Sequence, residues 1–386
     1  MERMRYAIAA GKIYTEDKIV ENGVVIVENG SIAAIREKDT TLHAELLYDC
    51  SEFQILPGLI DTHIHGANGY DAMQADFTAL NEISKYLATK GITAFVPTTV
   101  TDELPKIKRT LANIKACIGK VEGAQILGSY IEGPYITAEH RGAHPQKLIR
   151  EIRLTEMEEL MVASGNTVRT VALAPEKQKS LDLIKYLYQA GIHTAIGHTS
   201  ATYEQVQQAA EAGADIAVHT YNGMRGLHHQ EPGTLGAVLV NDKIYTELIA
   251  DFTHVHPAAM EILLRCKPKD KVILISDAIE AAGLSDGQYI LGTLQVVVEN
   301  GIARTESGSL AGSTTNILKC VQGLIEKMAV SPLLAVHMAS LNPSKLLGVD
   351  FTIGSIKLGK QADFVVVDNN FEVVMTVVNG KVVYHR

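Results

Sequence analysis

The chain has 386 residues, of which 46% are hydrophobic and 20% charged, and no Pro/Gly-rich, charge-block or other low-complexity tract, so it is expected to fold throughout. A formal net charge of −9 argues against an extended polyanion-binding surface and still allows a small anionic ligand. No segment reaches the roughly 18 uninterrupted apolar residues of a membrane span, and the length suits a large barrel with a modest second domain.

No apolar run of signal-peptide length follows the opening Met-Glu-Arg-Met-Arg-Tyr. Cys50, Cys117, Cys266 and Cys320 lack C-x-x-C spacing, and both features predict a cytoplasmic protein with reduced, mostly buried thiols. The first fifty residues alternate in the strand period, with Asn29-Gly30 as a tight hairpin signal. The last forty alternate in the same way, with Asp363 to Val367 as a buried strand and Val377 to Val383 turning on Asn379-Gly380. Residues 1–56 and 346–386 are therefore expected to form one small discontinuous β domain, a β-sandwich, around a continuous domain over 57–345.

Within that insert, short apolar strands alternate with helical stretches. The expected strands are Gly58–His65, Thr93–Thr99, Gln125–Glu132, Val168–Ala174, His193–His198, Ile216–Tyr221, Ile244–Asp251 and Lys271–Asp277. Amphipathic stretches such as Phe77–Thr89, Leu181–Gln189 and Tyr203–Ala212 lie between them, each closed by a glycine (Gly91, Gly191, Gly213). Eight such units predict an α/β fold, a (β/α)8 TIM barrel whose chemistry sits at the C-terminal ends of its strands.

Those ends carry metal-type ligands. His63 and His65 share one side of the first strand because side chains alternate, and Glu132, His198, His219 and Asp277 end the third, fifth, sixth and eighth strands. Singly each has a bland reading: a buried histidine is commonly a hydrogen-bonded core residue, Glu132 before Gly133-Pro134 fits a turn, and Asp277 fits a helix cap. Five strand ends of eight carrying such residues is what points to a metal. Imidazoles and carboxylates suit Zn or Fe, and Glu132, His198 and His219 make one three-ligand set with an open position. His63 and His65 could build a second site with Asp277, bridged by Glu132, so one or two divalent ions per subunit remain open.

The run from Pro57 to Gly66 (Pro-Gly-Leu-Ile-Asp-Thr-His-Ile-His-Gly) resembles the opening strand of the amidohydrolase superfamily. Ile131-Glu132-Gly133-Pro134-Tyr135, Gly197-His198-Thr199, His219 to Met224, Ser276-Asp277-Ala278 and Ser309 to Ser313 narrow the resemblance to its amino-sugar-phosphate deacetylases, over nearly the whole chain. The resemblance implies hydrolysis of the N-acetyl group of N-acetylglucosamine 6-phosphate to glucosamine 6-phosphate and acetate. It also implies a homodimer and a small amino-sugar phosphate as the partner, while the net charge and the lack of an apolar span argue against nucleic acid and membrane. Asp277 is then the acid/base residue and His144 the group that polarises the acetyl carbonyl, while Ala143, Asn222, Gly223, Asp251, His254, Leu310, Ala311 and Gly312 are substrate positions, with His254 toward the phosphate.

The chain departs from that pattern where the family usually has a phosphate-gripping Arg before Glu-Pro-Gly, which in dimers reaches the neighbour's site. Gln230 stands there, uncharged, with Arg225, His228 and His229 as candidate replacements. Gly223 stands where Ala is usual. Two other readings are kept: a related amidohydrolase acting on another N-acyl substrate, such as N-acetylgalactosamine 6-phosphate, and a catalytically inert barrel.

Overall fold

The computed structural model describes residues 5–37 and 47–386; residues 1–4 and 38–46 of the expected terminal domain lie outside them. Both ends of the chain meet in one seven-stranded sheet. The strand Leu47–Pro57 occupies its middle, parallel to Arg5–Tyr14 and antiparallel to Phe364–Val367. Ile19–Glu28 and Ser31–Glu37 extend one side, and Val373–Val378 and Lys381–His385 the other. Alternation puts Ile8, Ile13, Val25, Ile55, Phe364 and Met375 into one buried cluster.

Both expected hairpin turns have left-handed backbone at their two central residues: φ is 51° and 82° at Asn29 and Gly30, and 50° and 72° at Asn379 and Gly380. The turns touch. A Cβ on Gly380 would meet Gly30 Cα at 2.5 Å, and the Tyr6 hydroxyl donates to Gly380 O at 2.8 Å, 374 positions along the chain.

Between the two halves of this sheet runs a parallel barrel with strands in sequence order: Leu59–Ile64, Ile92–Thr99, Ser129–Glu132, Val168–Leu173, His193–Ile196, Ile216–Ala217, Tyr245–Leu248 and Val272–Leu274. The eighth strand returns to the first, where Asp277 N–H donates to His63 O at 2.9 Å. Several expected strands are shorter than their patterns, among them Ile244–Asp251, which spans Tyr245–Leu248, and Lys271–Asp277, which spans Val272–Leu274. Gln125–Glu132 divides into Gln125–Ile126 and Ser129–Glu132 at Gly128, whose φ is 142°. Ile216–Tyr221 ends at Ala217 because His219 and Tyr221 take positive φ, which a strand cannot hold.

Helices Phe77–Thr89, Ser180–Gln189 and Tyr203–Ala212 pack outside the barrel. The last has the reciprocal hydrogen bonds of a capping box between Thr202 and Gln205. A three-stranded antiparallel sheet, Gly287–Leu291, Leu294–Glu299 and Ile302–Thr305, follows the eighth strand and adds a wall beside the barrel mouth. No described helix is long and apolar enough to cross a membrane.

Candidate active site

The C-terminal strand ends gather His63, His65, Glu132, His198, His219 and Asp277 into one buried cup. His198, His219 and Asp277 are each the residue at which a strand breaks into a left-handed turn, with φ of 47°, 24° and 49°. That backbone is unusual for non-glycine residues and is held only where the surroundings impose it. Here those surroundings are the turn hydrogen bonds, with Asn222 N–H donating to His219 O at 2.9 Å and Ser313 N–H to Asp277 O at 2.7 Å.

Glu132 is the hub. Its Oε1 lies 3.2 Å from His198 Nε2, 3.2 Å from His219 Nε2 and 3.5 Å from His63 Nε2. Its Oε2 lies 3.2 Å from His65 Nε2, which is also 3.2 Å from Asp277 Oδ1.

Hydrogen bonds assign the proton on each ring. Nδ1 faces an acceptor in all four histidines: His140 O at 2.8 Å from His198, Asn222 O at 3.1 Å from His219, Thr98 O at 3.3 Å from His65, and Glu247 Oε2 at 3.1 Å from His63. A carbonyl or ionised carboxylate only accepts, so Nδ1 carries the hydrogen, and in the neutral ring that a metal requires Nε2 is left bare. In that form four bare nitrogens and two carboxylates converge. His198 and His219 Nε2 stand 3.0 Å apart, and the buried His63 Nε2 has no hydrogen-bond partner at all.

This donor set fits a divalent cation. His63, His65 and Asp277 form one group whose donor atoms lie within 4.8 Å of one another, and Glu132, His144 and His198 form another. His219 is the better third member of the second group, because its bare nitrogen is the one directed at His198 and Glu132. Electrostatics agree. Burial raises the Glu132 carboxyl, but His63 together with His144, His198 and His219 outweighs burial and holds it well below the usual range. Burial likewise lowers His65, yet hydrogen bonds to Asp277 and Glu132 lift it to about 9. The cup attracts positive charge.

His144 is wired the other way. Thr101 N–H donates to its Nδ1 at 3.4 Å, and the Thr101 hydroxyl is 2.8 Å from the same atom, so the hydrogen sits on Nε2, 3.5 Å from Glu132 Oε2. Burial, followed by the neighbouring His198, lowers it to about 4. It is a neutral hydrogen-bond donor beside the cup.

A cavity of about 270 Å³ opens over this constellation. Ala143, Asn222, Gly223, His254, Leu310 and Gly312 line it, while Ala311 is fully buried behind them. Asp251 stands behind His254, accepting from its Nδ1 at 2.7 Å and leaving Nε2 for the cavity. Arg225 and Gln230 are not brought to this cavity. They line a separate one near Thr202 and Tyr203, and Arg225 is ion-paired with Glu231. The rings of His228 and His229 pack against each other at a tilt, with centroids 4.3 Å apart, on the same exposed loop.

A profile described as the amidohydrolase family matches residues 54–383, which include every residue of the cup. The chain belongs to the amidohydrolase family. As a member it is a hydrolytic enzyme.

It is similar to the N-acetylglucosamine-6-phosphate deacetylase of Vibrio furnissii, 44% identical over 97% of this chain and 92% of that one. Similarity to the N-acetylgalactosamine-6-phosphate deacetylase of Escherichia coli O157:H7 is 42%, over 98% and 99%. The solved N-acetylglucosamine-6-phosphate deacetylase of Thermotoga maritima superposes with a TM-score of 0.89 at 32% identity, covering 98% and 100%.

Sequence reasoning missed Glu247, Thr101, Val100 and Leu291. Glu247 carried a signal, since a glutamate inside the apolar run Ile244–Asp251 is costly to bury without a partner. Thr101 carried none, because its role is played partly by its main-chain N–H.

Proposed function

We propose that the protein hydrolyses the N-acetyl group of N-acetylglucosamine 6-phosphate, giving glucosamine 6-phosphate and acetate. The observation that carries it is the tautomer contrast: four histidines bare at Nε2 around Glu132 and Asp277, beside a fifth, His144, that presents N–H. Glu132, His198 and His219 would hold one divalent ion, Zn or Fe, and His63, His65 and Asp277 a second. When bound, such an ion supplies Lewis acidity and brings the pKa of water toward neutrality.

This chain's own groups do the rest. Asp277 takes a proton from the attacking water on its carboxylate and returns it to the amide nitrogen, so the amine leaves neutral. His144 Nε2–H donates to the acetyl oxygen as negative charge develops there. Asn222, the Gly223 backbone and His254 bind the sugar phosphate, with Ala143 and the Leu310–Gly312 turn against the ring.

The reading extends to a cytoplasmic homodimer. Reduced thiols support the compartment, and the position of Arg225 and Gln230 away from their own cavity suits residues that serve a neighbour's site. The 42% relative and the uncharged Gln230 favour one further reading, N-acetylgalactosamine 6-phosphate as the substrate. Acetate release from the two phosphorylated epimers and from unphosphorylated N-acetylglucosamine decides between them. The expected order is N-acetylglucosamine 6-phosphate first and the unphosphorylated sugar last. Equal rates with and without phosphate would overturn the sugar-phosphate reading.

A further inference from the structure

The seventh barrel strand, Tyr245–Leu248, supplies no member of the cup, yet it carries a fully buried carboxylate. Glu247 is 1% exposed, and its Oε2 accepts from His63 Nδ1 at 3.1 Å and from His219 N–H at 3.3 Å. Its main-chain oxygen accepts from Thr220 N–H at 2.7 Å. One residue therefore holds an imidazole from the first strand and the main chain of the sixth. The His63 ring is wholly buried, with Tyr130 packed at a centroid distance of 4.5 Å and its Nε2 unpartnered.

Among the four bare-nitrogen histidines, three rest Nδ1 on a main-chain carbonyl and only His63 rests it on a side chain. A main-chain anchor comes with the fold, whereas a side-chain anchor can be removed by substitution. We propose that Glu247 is the positioning residue of the His63 half of the site. By accepting the Nδ1 hydrogen it fixes the tautomer and ring angle that aim Nε2 between Glu132 and Asp277, and by accepting from His219 N–H it ties that aim to the opposite ligand set. This rests on the metal reading given above. It adds a residue that touches neither substrate nor cation and acts through another.

The test is zinc retention by the zinc-loaded protein, equilibrated against increasing chelator and read without substrate. Carboxylates behind a ligating histidine change metal affinity about 10- to 100-fold. Glu247→Ala is expected to weaken the ion nearest His63 by that factor, while Glu247→Gln, which keeps an acceptor oxygen, stays within about tenfold of the parent. His63→Asn should lose at least as much as Glu247→Ala, and Glu247→Ala should add nothing in a His63→Asn background.

Unchanged retention in Glu247→Ala would overturn the proposal. So would full additivity with His63→Asn, a result that Glu247→Met, of similar size but with no acceptor oxygen, can deliver even if the alanine variant fails to fold. If the wild type released no acetate from any hexosamine phosphate, the substrate reading would fall while the retention result still stood.

Discussion

His198 and His219 direct unprotonated Nε2 atoms at each other across 3.0 Å, each locked in that tautomer by a main-chain carbonyl. Two lone pairs at that distance repel unless a positive charge lies between or beside them. Removing the metal should therefore cost stability as well as activity. Chelator treatment is expected to lower the melting temperature by several degrees, and zinc added back should restore it; a ligand at a thousandfold its Kd contributes about 4 kcal/mol. Calorimetry of the metal-free and reloaded protein checks this, and identical melting curves would count against the cup as a metal site.

Asp277→Asn should remove turnover and spare the fold. Asp277 sits at φ 49°, a conformation asparagine adopts readily, and its main-chain bonds to His63 and Ser313 do not involve the side chain. An amide cannot shuttle the proton, so acetate release should fall about 10²- to 10⁴-fold, with the ion held by Glu132, His198 and His219 kept. Activity and metal analysis on the same preparation separate the two effects.

His144 should stay neutral throughout the working range. Burial takes it from 6.5 to about 4, so its N–H donor persists as pH falls and gives way to the imidazolium only near pH 4. The sign for stability follows: the unfolded chain binds this proton more readily between about 4 and 6.5, so acidification through that window destabilises the native state. The pH profile of kcat/KM should show no ionisation near 6.5 that disappears in His144→Gln. That variant, which keeps an N–H donor, should retain more activity than His144→Ala, for which a loss of about 10²- to 10³-fold is expected.

Gly133→Ala should damage the same residue indirectly. Gly133 has φ 70°, and a Cβ there would lie 2.0 Å from Thr101 Oγ1 and 3.5 Å from His144 Nδ1. Thr101 must move, and His144 loses its anchor. A destabilisation of about 1–3 kcal/mol by urea titration is expected, with a fall in kcat larger than the loss of folded protein explains.

The barrel is legible in the sequence because its strands are short apolar runs, five of the eight closed by chemistry-bearing residues, and helices such as Tyr203–Ala212 announce their starts through Thr202 and Gln205. The constellation of His63, His65, Glu132, His198, His219 and Asp277 is legible for the same reason, since strand ends in a parallel barrel share one rim, whereas His144, on a loop, is legible only through the family resemblance. The hydrogen-bond partners that decide each tautomer are not, since Thr98, Thr101, His140 and Asn222 act largely through main-chain atoms, which no side-chain pattern reports. The three-stranded wall beside the cavity was open to detection, because Asn300-Gly301 lies between its second and third strands as a hairpin turn.

The contact between the two hairpin turns also bears on how the molecule is made. On the ribosome, Leu47–Pro57 emerges early, yet its antiparallel neighbour Phe364–Val367 is translated only after the whole barrel. Until then one flank of the sheet's middle strand exposes unpaired N–H and C=O groups, a template for pairing with another nascent chain. Closing so distant a pairing is slow, so the assembly most exposed to aggregation is the terminal sheet, far from the residues that do the chemistry.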